Sequence, residues 1–138
     1  MSVPRTWRRR KALYSLEGSK CPKCGKHYFP ARARCLECNT IELENYTYSG
    51  NGKVATYSWV YTPPKGFNSR IPYCLAIVEL EEGPRLTSQL VALEENEVKI
   101  GMDVEFSFRK ISSEGDEGVI TYGFKFRPKN YPNHLQKK

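Results

Sequence analysis

Four of the chain's five cysteines form two Cys-x-x-Cys pairs separated by a loop of ten residues: Cys21, Cys24, Cys35 and Cys38. Two such pairs can place four thiolates at the corners of a tetrahedron, which is the geometry that Zn²⁺ favours. Gly25 and Asn39 follow the two pairs and tolerate the left-handed backbone of a tight turn around a metal. The spacing therefore predicts one structural zinc ion.

A closed site of four sulfurs leaves no open coordination position, so the predicted metal holds structure and does not activate water. A disulfide framework and a redox pair are the alternatives, and a cytosolic context with duplicated spacing disfavours both. His27 lies close to the first pair and is an alternative ligand, but four sulfurs already complete the site. Cys74 lies in an apolar, strand-like run and is predicted to be a small buried hydrophobe.

Residues suited to catalysis are scarce in this chain. It has two histidines, His27 beside the cysteines and His134 near the C-terminus. No Ser/His/Asp or Cys/His set can be assembled from them, and no P-loop or dinucleotide fingerprint occurs. The carboxylates of Glu94, Glu95 and Glu97 are typical of a solvated turn. We predict that the chain is not an enzyme.

The composition bounds the class of protein. A chain of 138 residues with 39% hydrophobic residues and a mean hydropathy of −0.61 suits one ordinary domain or two very small ones. No apolar run approaches the ~18–20 residues that cross a bilayer, and the basic segment 8–11 lacks the apolar region of a secretory signal. We therefore expect a cytoplasmic protein with no membrane partner.

The net charge of +7 is unevenly distributed along the chain. Residues 1–45 hold ten Lys/Arg and four Glu, whereas residues 46–138 are almost neutral at +1. A basic surface attracts phosphates of any kind, whether in nucleic acid or in nucleotide cofactors, and acidic protein faces as well. The charge alone selects none of these partners.

Upstream of the cysteines, residues 6–16 predict an amphipathic helix, with Thr6 as its N-cap and Gly18 as its stop. Trp7 and Tyr14 fall on one face of this helix, at positions i and i+7. A helix of this length is marginal in water on its own, so its apolar stripe must pack against the chain's own core or against a partner protein.

Beyond residue 45 the hydrophobic period changes from helical to two, which predicts strands over residues 53–62, 73–80, 85–93, 104–109 and 120–126. Five strands in about ninety residues suit an OB-like barrel, and an SH3-like barrel is the alternative. The predicted fold class is mainly β: an N-terminal helix, a rubredoxin-like zinc ribbon, then a five-stranded OB-fold barrel.

The first predicted barrel strand carries an aromatic face. Ala55, Tyr57, Trp59 and Tyr61 share this face by period-two alternation, and Val54 lies on the opposite one. Aromatic rings can stack nucleic-acid bases, so a single-stranded nucleic-acid-binding OB-fold protein is the alternative function. The near-neutral barrel half argues against it, because such proteins normally carry an electrostatic groove.

Motifs along almost the whole chain carry a family resemblance. The N-terminal part holds Trp7-Arg8, Leu16-Glu17-Gly18, Cys21-x-x-Cys24-Gly25, Tyr28-Phe29-Pro30-x-Arg32 and Cys35-x-x-Cys38. The barrel part holds Tyr57-Ser58-Trp59, Glu82-Gly83-Pro84-Arg85-Leu86, Ile100-Gly101-Met102 and Phe126-Arg127-Pro128. In this order the chain resembles the zinc-ribbon/OB-fold proteins, formerly filed as a domain of unknown function, that accompany thiolases and HMG-CoA synthases.

The resemblance implies a non-catalytic accessory subunit that binds a thiolase-like enzyme, helps to bind acyl-CoA, and in some systems bridges acetoacetyl-CoA thiolase to HMG-CoA synthase. CoA carries an adenine ring and several phosphates, so basic side chains near aromatic rings suit it. The candidate contacts with CoA or a partner are Trp7, Arg8, Arg9, Lys65, Phe67 and Arg70. We divide the chain into an N-terminal helical arm at 1–18, the zinc ribbon at 19–45 and the OB-fold domain at 46–138.

Overall fold

The computed structural model describes residues 3–65, 71–113, 116 and 118–130. The described chain begins with two short helices, α1 (Val3–Arg8) and α2 (Arg10–Ser15). Its strands are β1 (Glu17–Lys20), β2 (His27–Tyr28), β3 (Glu44–Thr47), β4 (Asn51–Val60), β5 (Tyr73–Leu80), β6 (Arg85–Leu90), β7 (Asp103–Ser113) and β8 (Ile120–Pro128). A 3₁₀ turn, Glu95–Glu97, lies between β6 and β7. The predicted mainly β class is confirmed.

The N-terminal arm is helical, with an interruption at Arg9 between α1 and α2. The main-chain hydrogen bonds continue there, since Arg9 N donates to Arg5 O at 3.2 Å. The prediction of Thr6 as the N-cap is wrong, because Thr6 lies inside α1. Pro4 lies in the first turn, where its missing N–H costs nothing. No helix in the described ranges is long and apolar enough to cross a membrane.

The arm ends at Leu16, two residues before the predicted stop at Gly18. Leu16 adopts the left-handed conformation (φ 48°, ψ 46°) and is almost fully buried. This backbone costs a non-glycine residue roughly 1–2 kcal/mol, which burial of the leucine side chain offsets. Gly18 lies in β1, where an added Cβ would stand 2.3 Å from the carbonyl oxygen of Tyr28. Glycine is therefore needed where β1 and β2 approach each other.

The cysteine-rich segment is held by a three-stranded antiparallel sheet in the order β2-β1-β3. Ser19 of the central strand pairs with Tyr28 on one side and with Asn45 on the other. Strand β3 spans residues 44–47 and so crosses position 45/46, where the sequence divided the ribbon from the barrel. The ribbon sheet therefore continues to residue 47.

The later strands close into a five-stranded barrel in the order β4-β5-β6-β8-β7. Its pairs are antiparallel except for β6 and β8, which run parallel and pair at Leu90 and Phe126. Numbered within the barrel, the order is first, second, third, fifth, fourth, which is the Greek-key order of an OB-fold. The predicted OB-fold barrel is confirmed. Strand β6 ends earlier than predicted because the chain turns at Ala92, with φ 62°.

A β-bulge in β4 changes the aromatic face that the sequence predicted. The pairing register with β5 shifts between Val54 and Thr56, so Ala55 is an extra residue. Beyond the bulge, Trp59 lies opposite the buried Cys74 and packs against the same core as Val54. The prediction that Val54 and Trp59 lie on opposite faces is therefore wrong. The prediction that Cys74 is buried is confirmed.

The main hydrophobic core joins the arm to the barrel, and Phe29 of the ribbon packs against it, whereas the buried Cys21, Tyr28 and Cys35 of the ribbon form a separate cluster. The buried members of the main core include Leu16 from the arm, Tyr48 from the junction after β3, and Val54 and Phe126 from the barrel. Tyr48 fastens the junction, because its hydroxyl donates to the carbonyl oxygen of Tyr28 at 2.8 Å and its N–H donates to the carbonyl oxygen of Leu16 at 3.2 Å. A segment of roughly twenty residues buries too little surface to fold alone, so its packing against the main core supports the ribbon.

A candidate metal centre and the surface beside the arm

The four paired cysteines converge on one point. The Sγ atoms of Cys21, Cys24, Cys35 and Cys38 lie within 4.8 Å of one another. The Cys21–Cys38, Cys24–Cys35 and Cys24–Cys38 sulfurs are 3.4, 3.5 and 3.9 Å apart. Four sulfurs bound to zinc at about 2.3 Å define a tetrahedron with edges of about 3.8 Å. The cluster is therefore the site of one structural zinc ion, as the sequence predicted.

Two tight turns shape this site. Gly25 N donates to Cys21 O at 3.0 Å in the first turn, and Cys35 N donates to Thr40 O at 2.9 Å in the second. Gly25 and Asn39 have φ values of 73° and 58°, so both adopt the predicted left-handed backbone. Such turns free main-chain N–H groups to point at the sulfurs, which favours thiolates.

Tyr28 supports the second cysteine pair, a role that the sequence did not reveal. Its hydroxyl oxygen lies 3.3 Å from the sulfur of Cys35 and 3.1 Å from the N–H of Leu36. Because the oxygen accepts from Leu36 N, the hydroxyl proton is available to donate to the sulfur. The ring is 7% exposed, so this bonding is shielded from water. Tyr28 therefore orients a zinc ligand from outside the coordination shell.

The surroundings of the sulfurs shift their pKa values in different directions. The N–H of Cys38 is the strongest of the contacts that lower the pKa of Cys35 to about 6. The N–H of Cys24 is the strongest of those that lower the pKa of Cys21. At Cys24 the N–H of Lys26 lowers the pKa, but the neighbouring thiols outweigh it and raise the pKa to about 12. A divalent cation among the four sulfurs favours the thiolate at all of them.

His27, the alternative ligand, lies outside the cluster of ligand atoms found among the described residues. It belongs to β2, and its ring meets that of Tyr46 edge to face at a centroid distance of 4.6 Å. An ion pair between Lys26 and Glu37 connects the two cysteine turns. This pairing raises the pKa of Lys26 and lowers the pKa of Glu37. Part of the basic charge of the ribbon is thus neutralised internally.

A second feature is an aromatic surface where the arm meets the barrel. Tyr14 of α2 meets Phe108 of β7 edge to face at 5.0 Å, and Phe108 stacks on Tyr122 of β8 at 5.5 Å. Trp7 of α1 is 67% exposed, and the guanidinium of Arg10 lies 4.3 Å from the centre of its ring. We use the name arm surface for these exposed rings together: Trp7 on α1, and the contacting group of Tyr14, Phe108 and Tyr122. The sequence did not reveal that Phe108 and Tyr122 belong to this surface, because their contact depends on the pairing of β7 with β8.

The candidate contacts with CoA or a partner fall on different elements. Trp7, Arg8 and Arg9 are exposed on the arm, and Lys65 is exposed in the connection that follows β4. Phe67 and Arg70 lie outside the described residues. The roles of these side chains stay predictions.

Two profiles of one protein family match this chain in the order of its modules. The profile described as "ChsH2, rubredoxin-like zinc ribbon domain" matches residues 8–42. The profile described as "ChsH2, C-terminal OB-fold domain" matches residues 46–109. Both modules therefore have counterparts in known proteins.

Similar proteins extend over nearly the whole chain. A "DUF35 domain-containing scaffold protein" of Methanocaldococcus jannaschii is 50% identical over 127 residues, 91% of this chain and 90% of the relative. The "benzoylsuccinyl-CoA thiolase subunit BbsA" of Geobacter metallireducens is 32% identical over 111 residues, 80% of this chain and 73% of the relative. A chain of the solved "Ltp2-ChsH2(DUF35) aldolase" superposes with a TM-score of 0.68 at 28% identity, covering 91% of this chain and 89% of that chain.

Proposed function

Because the chain belongs to the DUF35 family of zinc-ribbon/OB-fold proteins, we propose that it is a scaffold subunit that docks on a thiolase-like enzyme and performs no chemistry itself. Similar proteins are named as a scaffold protein and as a thiolase subunit, which supports this role. The closed four-sulfur site also supports it, since such a site offers no coordination position to a substrate.

The observation that carries the docking role is the exposure of the arm surface. Trp7 and Phe108 are 67% and 45% exposed, although both side chains are large and apolar. Aromatic rings of this kind are enriched at the centres of protein interfaces, where they contribute most of the binding energy. Val119 and Ile120 at the start of β8 are exposed as well. A partner that covers this surface removes the rings from water.

The charge of the arm indicates the chemistry of the partner's surface. Residues 3–16 contain four arginines and one lysine and no acidic residue, and Arg8 and Arg9 are exposed among them. A face of the enzyme with an apolar centre and an acidic rim complements such an arm. The basic residues then set the rate and orientation of docking, and the aromatic rings set most of its strength.

Two finer parts of the proposal concern the rest of the assembly. We place an HMG-CoA synthase-like enzyme as a second partner, bridged by this chain to an acetoacetyl-CoA thiolase. We also propose that exposed basic residues, among them Arg8, Arg9 and Lys65, help to bind acyl-CoA through its phosphates. We expect acyl-CoA to raise the thermal stability of the complex. The free acid, which lacks the phosphates, is expected to leave it unchanged.

The docking proposal is tested by affinity capture from a native extract with identification of the bound proteins. The wild-type chain is expected to retain a thiolase-like enzyme, and Trp7→Ala and Phe108→Ala are each expected to reduce its recovery at least about tenfold. Ile41→Ala and Ile100→Ala are matched controls, since these side chains are 68% and 70% exposed and lie outside the arm surface. Equal recovery by all five proteins would refute docking through this surface.

The alternative, binding of single-stranded nucleic acid, has less support. Of the three rings predicted to stack bases, Trp59 packs against the core, whereas Tyr57 and Tyr61 are 37% and 59% exposed. Steeply salt-dependent binding of an oligonucleotide, together with no capture of a thiolase-like enzyme, would favour this alternative.

A further inference from the structure

A cavity of about 170 Å³ lies between the N-terminal arm and the part of the barrel where β7 ends and β8 begins. Aliphatic side chains contribute much of its lining: Val3 of α1, Leu13 of α2, Ile111 of β7 and Val119 just before β8. Leu13 and Ile111 are half-buried, whereas Val3 and Val119 are 58% and 43% exposed. The cavity therefore has an apolar inner wall and opens to solvent.

A β-bulge in β7 forms part of this inner wall. The pairing register with β8 shifts between Lys110 and Ser112, so Ile111 is an extra residue in β7. A Cβ added to Gly123 would meet Ile111 Cδ1 first, and Leu13 Cδ2 would lie 3.9 Å from it. The side chains of the arm and of the bulge thus approach each other over Gly123. Bulges commonly redirect a side chain beside a functional site, and this one brings Ile111 to the arm.

One positive charge lies beside this apolar lining. Among the described residues that line the cavity, Arg9 alone is charged. It is exposed at the interruption between α1 and α2, and within the described part of the chain its guanidinium forms no ion pair. Residues 3–16 hold no acidic residue, so the arm itself does not neutralise Arg9. An apolar group with a negative charge beside it would complement both features.

The volume of the cavity indicates the size of its occupant. An apolar cavity of about 150 Å³ holds a benzene ring, so 170 Å³ suits the side chain of a phenylalanine or a leucine. Sites for cofactors and other small molecules usually measure about 300–1,000 Å³, which is larger than this cavity. The elements that line it, α1, α2, β7 and β8, also carry the arm surface. The cavity is therefore continuous with the surface proposed to dock on the enzyme.

We infer that this cavity receives one large apolar side chain of the thiolase-like partner, and that an acidic residue beside that side chain pairs with Arg9. The inference rests on the proposed docking role and specifies which residues of the partner anchor it. Side chains that fill a pocket at an interface contribute most of the binding energy, and the surrounding contacts exclude water. The anchor thus fixes the position of the enzyme, and the exposed rings of the arm surface shield it.

Two neighbouring substitutions separate the cavity from the surface around it. Val119 lines the cavity, whereas Ile120 is 46% exposed and lies outside the lining. We expect Val119→Asp to weaken binding of the captured enzyme at least about tenfold more than Ile120→Asp does, because its carboxylate pairs with Arg9 and makes the opening polar. Surface plasmon resonance with the full chain measures both affinities. Equal losses in the two variants would overturn the inference.

Two arginines of the arm test the predicted ion pair. Arg9 lines the cavity and Arg5 does not, and both are exposed. Loss of a shielded ion pair speeds dissociation, whereas loss of a charge at the rim mainly slows association. Arg9→Gln is therefore expected to raise the dissociation rate about tenfold, and Arg5→Gln to leave that rate unchanged. The same dissociation rate in both variants would contradict the pairing of Arg9.

A small probe tests the cavity without the enzyme. The probe is 3-phenylpropionate, which joins one aromatic ring to one carboxylate. In NMR titrations of the ¹³C-labelled chain, the methyl signals of Val119, assigned with Val119→Ala, are expected to shift and to saturate at millimolar probe. Acetate, which has no ring, is expected to leave them in place, and the methyl signals of the exposed Ile100 should not move with either compound. Absence of a saturable Val119 shift would overturn the site.

Failure of the anchor and failure of docking give different results. If Trp7→Ala and Phe108→Ala reduce recovery of the enzyme while Val119→Asp and Ile120→Asp bind it equally well, docking through the arm surface stands and the anchor is refuted. If Trp7→Ala and Phe108→Ala recover as much enzyme as the wild type, docking through this surface is refuted, and the anchor with it.

Discussion

The behaviour of the metal centre depends on a few contacts to individual sulfurs. Cys35 receives main-chain N–H groups and the hydroxyl of Tyr28, and its pKa falls to about 6. Cys24 is exposed and has a pKa raised to about 12 by its neighbours, so it gains its thiolate form mainly from the metal. The protein itself therefore favours the thiolate form of Cys35, whereas the thiolate form of Cys24 depends on the metal.

Replacing Tyr28 by Phe tests whether the Tyr28 hydroxyl contributes to zinc binding through its contact with the Cys35 sulfur. The change leaves the N–H of Leu36 without its acceptor and removes the contact to the Cys35 sulfur. We expect zinc affinity to fall about 10–100-fold, the usual cost of losing a group that orients a ligand. Competition with a chromogenic chelator measures it. Tyr46→Phe is the control, and unchanged affinity in Tyr28→Phe would show that the hydroxyl has no such role.

At the scale of elements, the approach of β1 to β2 depends on a missing side chain. Gly18→Ala places a Cβ 2.3 Å from the main-chain oxygen of Tyr28, whereas Gly123→Ala meets the end of the flexible Ile111 side chain. Backbone cannot move aside as a side chain can, so Gly18→Ala is expected to destabilise by about 2 kcal/mol or more beyond Gly123→Ala. Denaturant unfolding measures both. An equal cost would mean that the two strands separate easily.

The stability of the fold depends on pH through Tyr48, at the junction between ribbon and barrel. Burial raises the pKa of Tyr48 to about 12, above the value of about 10 of an unfolded tyrosine. The unfolded chain therefore loses this proton first, and the stability held by neutral Tyr48 is present below pH 10 and lost between about pH 10 and 12. The expected loss is up to about 1.4 kcal/mol per pH unit.

Chemical unfolding of wild type, Tyr48→Phe and Tyr57→Phe between pH 8 and 11 measures this loss. Tyr48→Phe is expected to be about 1 kcal/mol less stable at pH 8, because its bond to the Tyr28 carbonyl is gone, and to depend less on pH above 10. Tyr57→Phe should follow the wild type, since Tyr57 is partly exposed. Parallel curves for all three proteins would assign the alkaline loss to other groups.

Sequence patterns predicted the order of the elements and the metal ligands because both are local signals. The spacing of Cys21 to Cys38 and the change to period two need no knowledge of the fold. The bulge at Ala55, the left-handed Leu16 and the contact of Tyr28 with Cys35 depend on pairing or burial set by distant residues. Period-two alternation takes no account of the bulge, so it placed Trp59 on the wrong face of β4.

At the scale of the whole molecule, one metal supports a module that has its own small core and packs against the core of the barrel. Zinc contributes about 10–16 kcal/mol of apparent binding energy to such modules. Removal by a strong chelator is expected to release one zinc per chain and to expose the segment between β1 and β3 to proteolysis. Cys35→Ser should reproduce this without chelator, and Cys74→Ser should retain the metal, since Cys74 lies outside the cluster. A ribbon that stays resistant without metal would contradict its structural role.

The most direct test of the docking role is native mass spectrometry of the purified chain mixed at micromolar concentration with the captured thiolase-like enzyme. The expected spectrum shows a complex of fixed stoichiometry in which each copy of this chain carries one zinc ion. Trp7→Ala should shift the population to free components, and Ile100→Ala should not. Free chain and free enzyme in the wild-type mixture, with no complex, would contradict the proposal that this protein is a thiolase-associated scaffold.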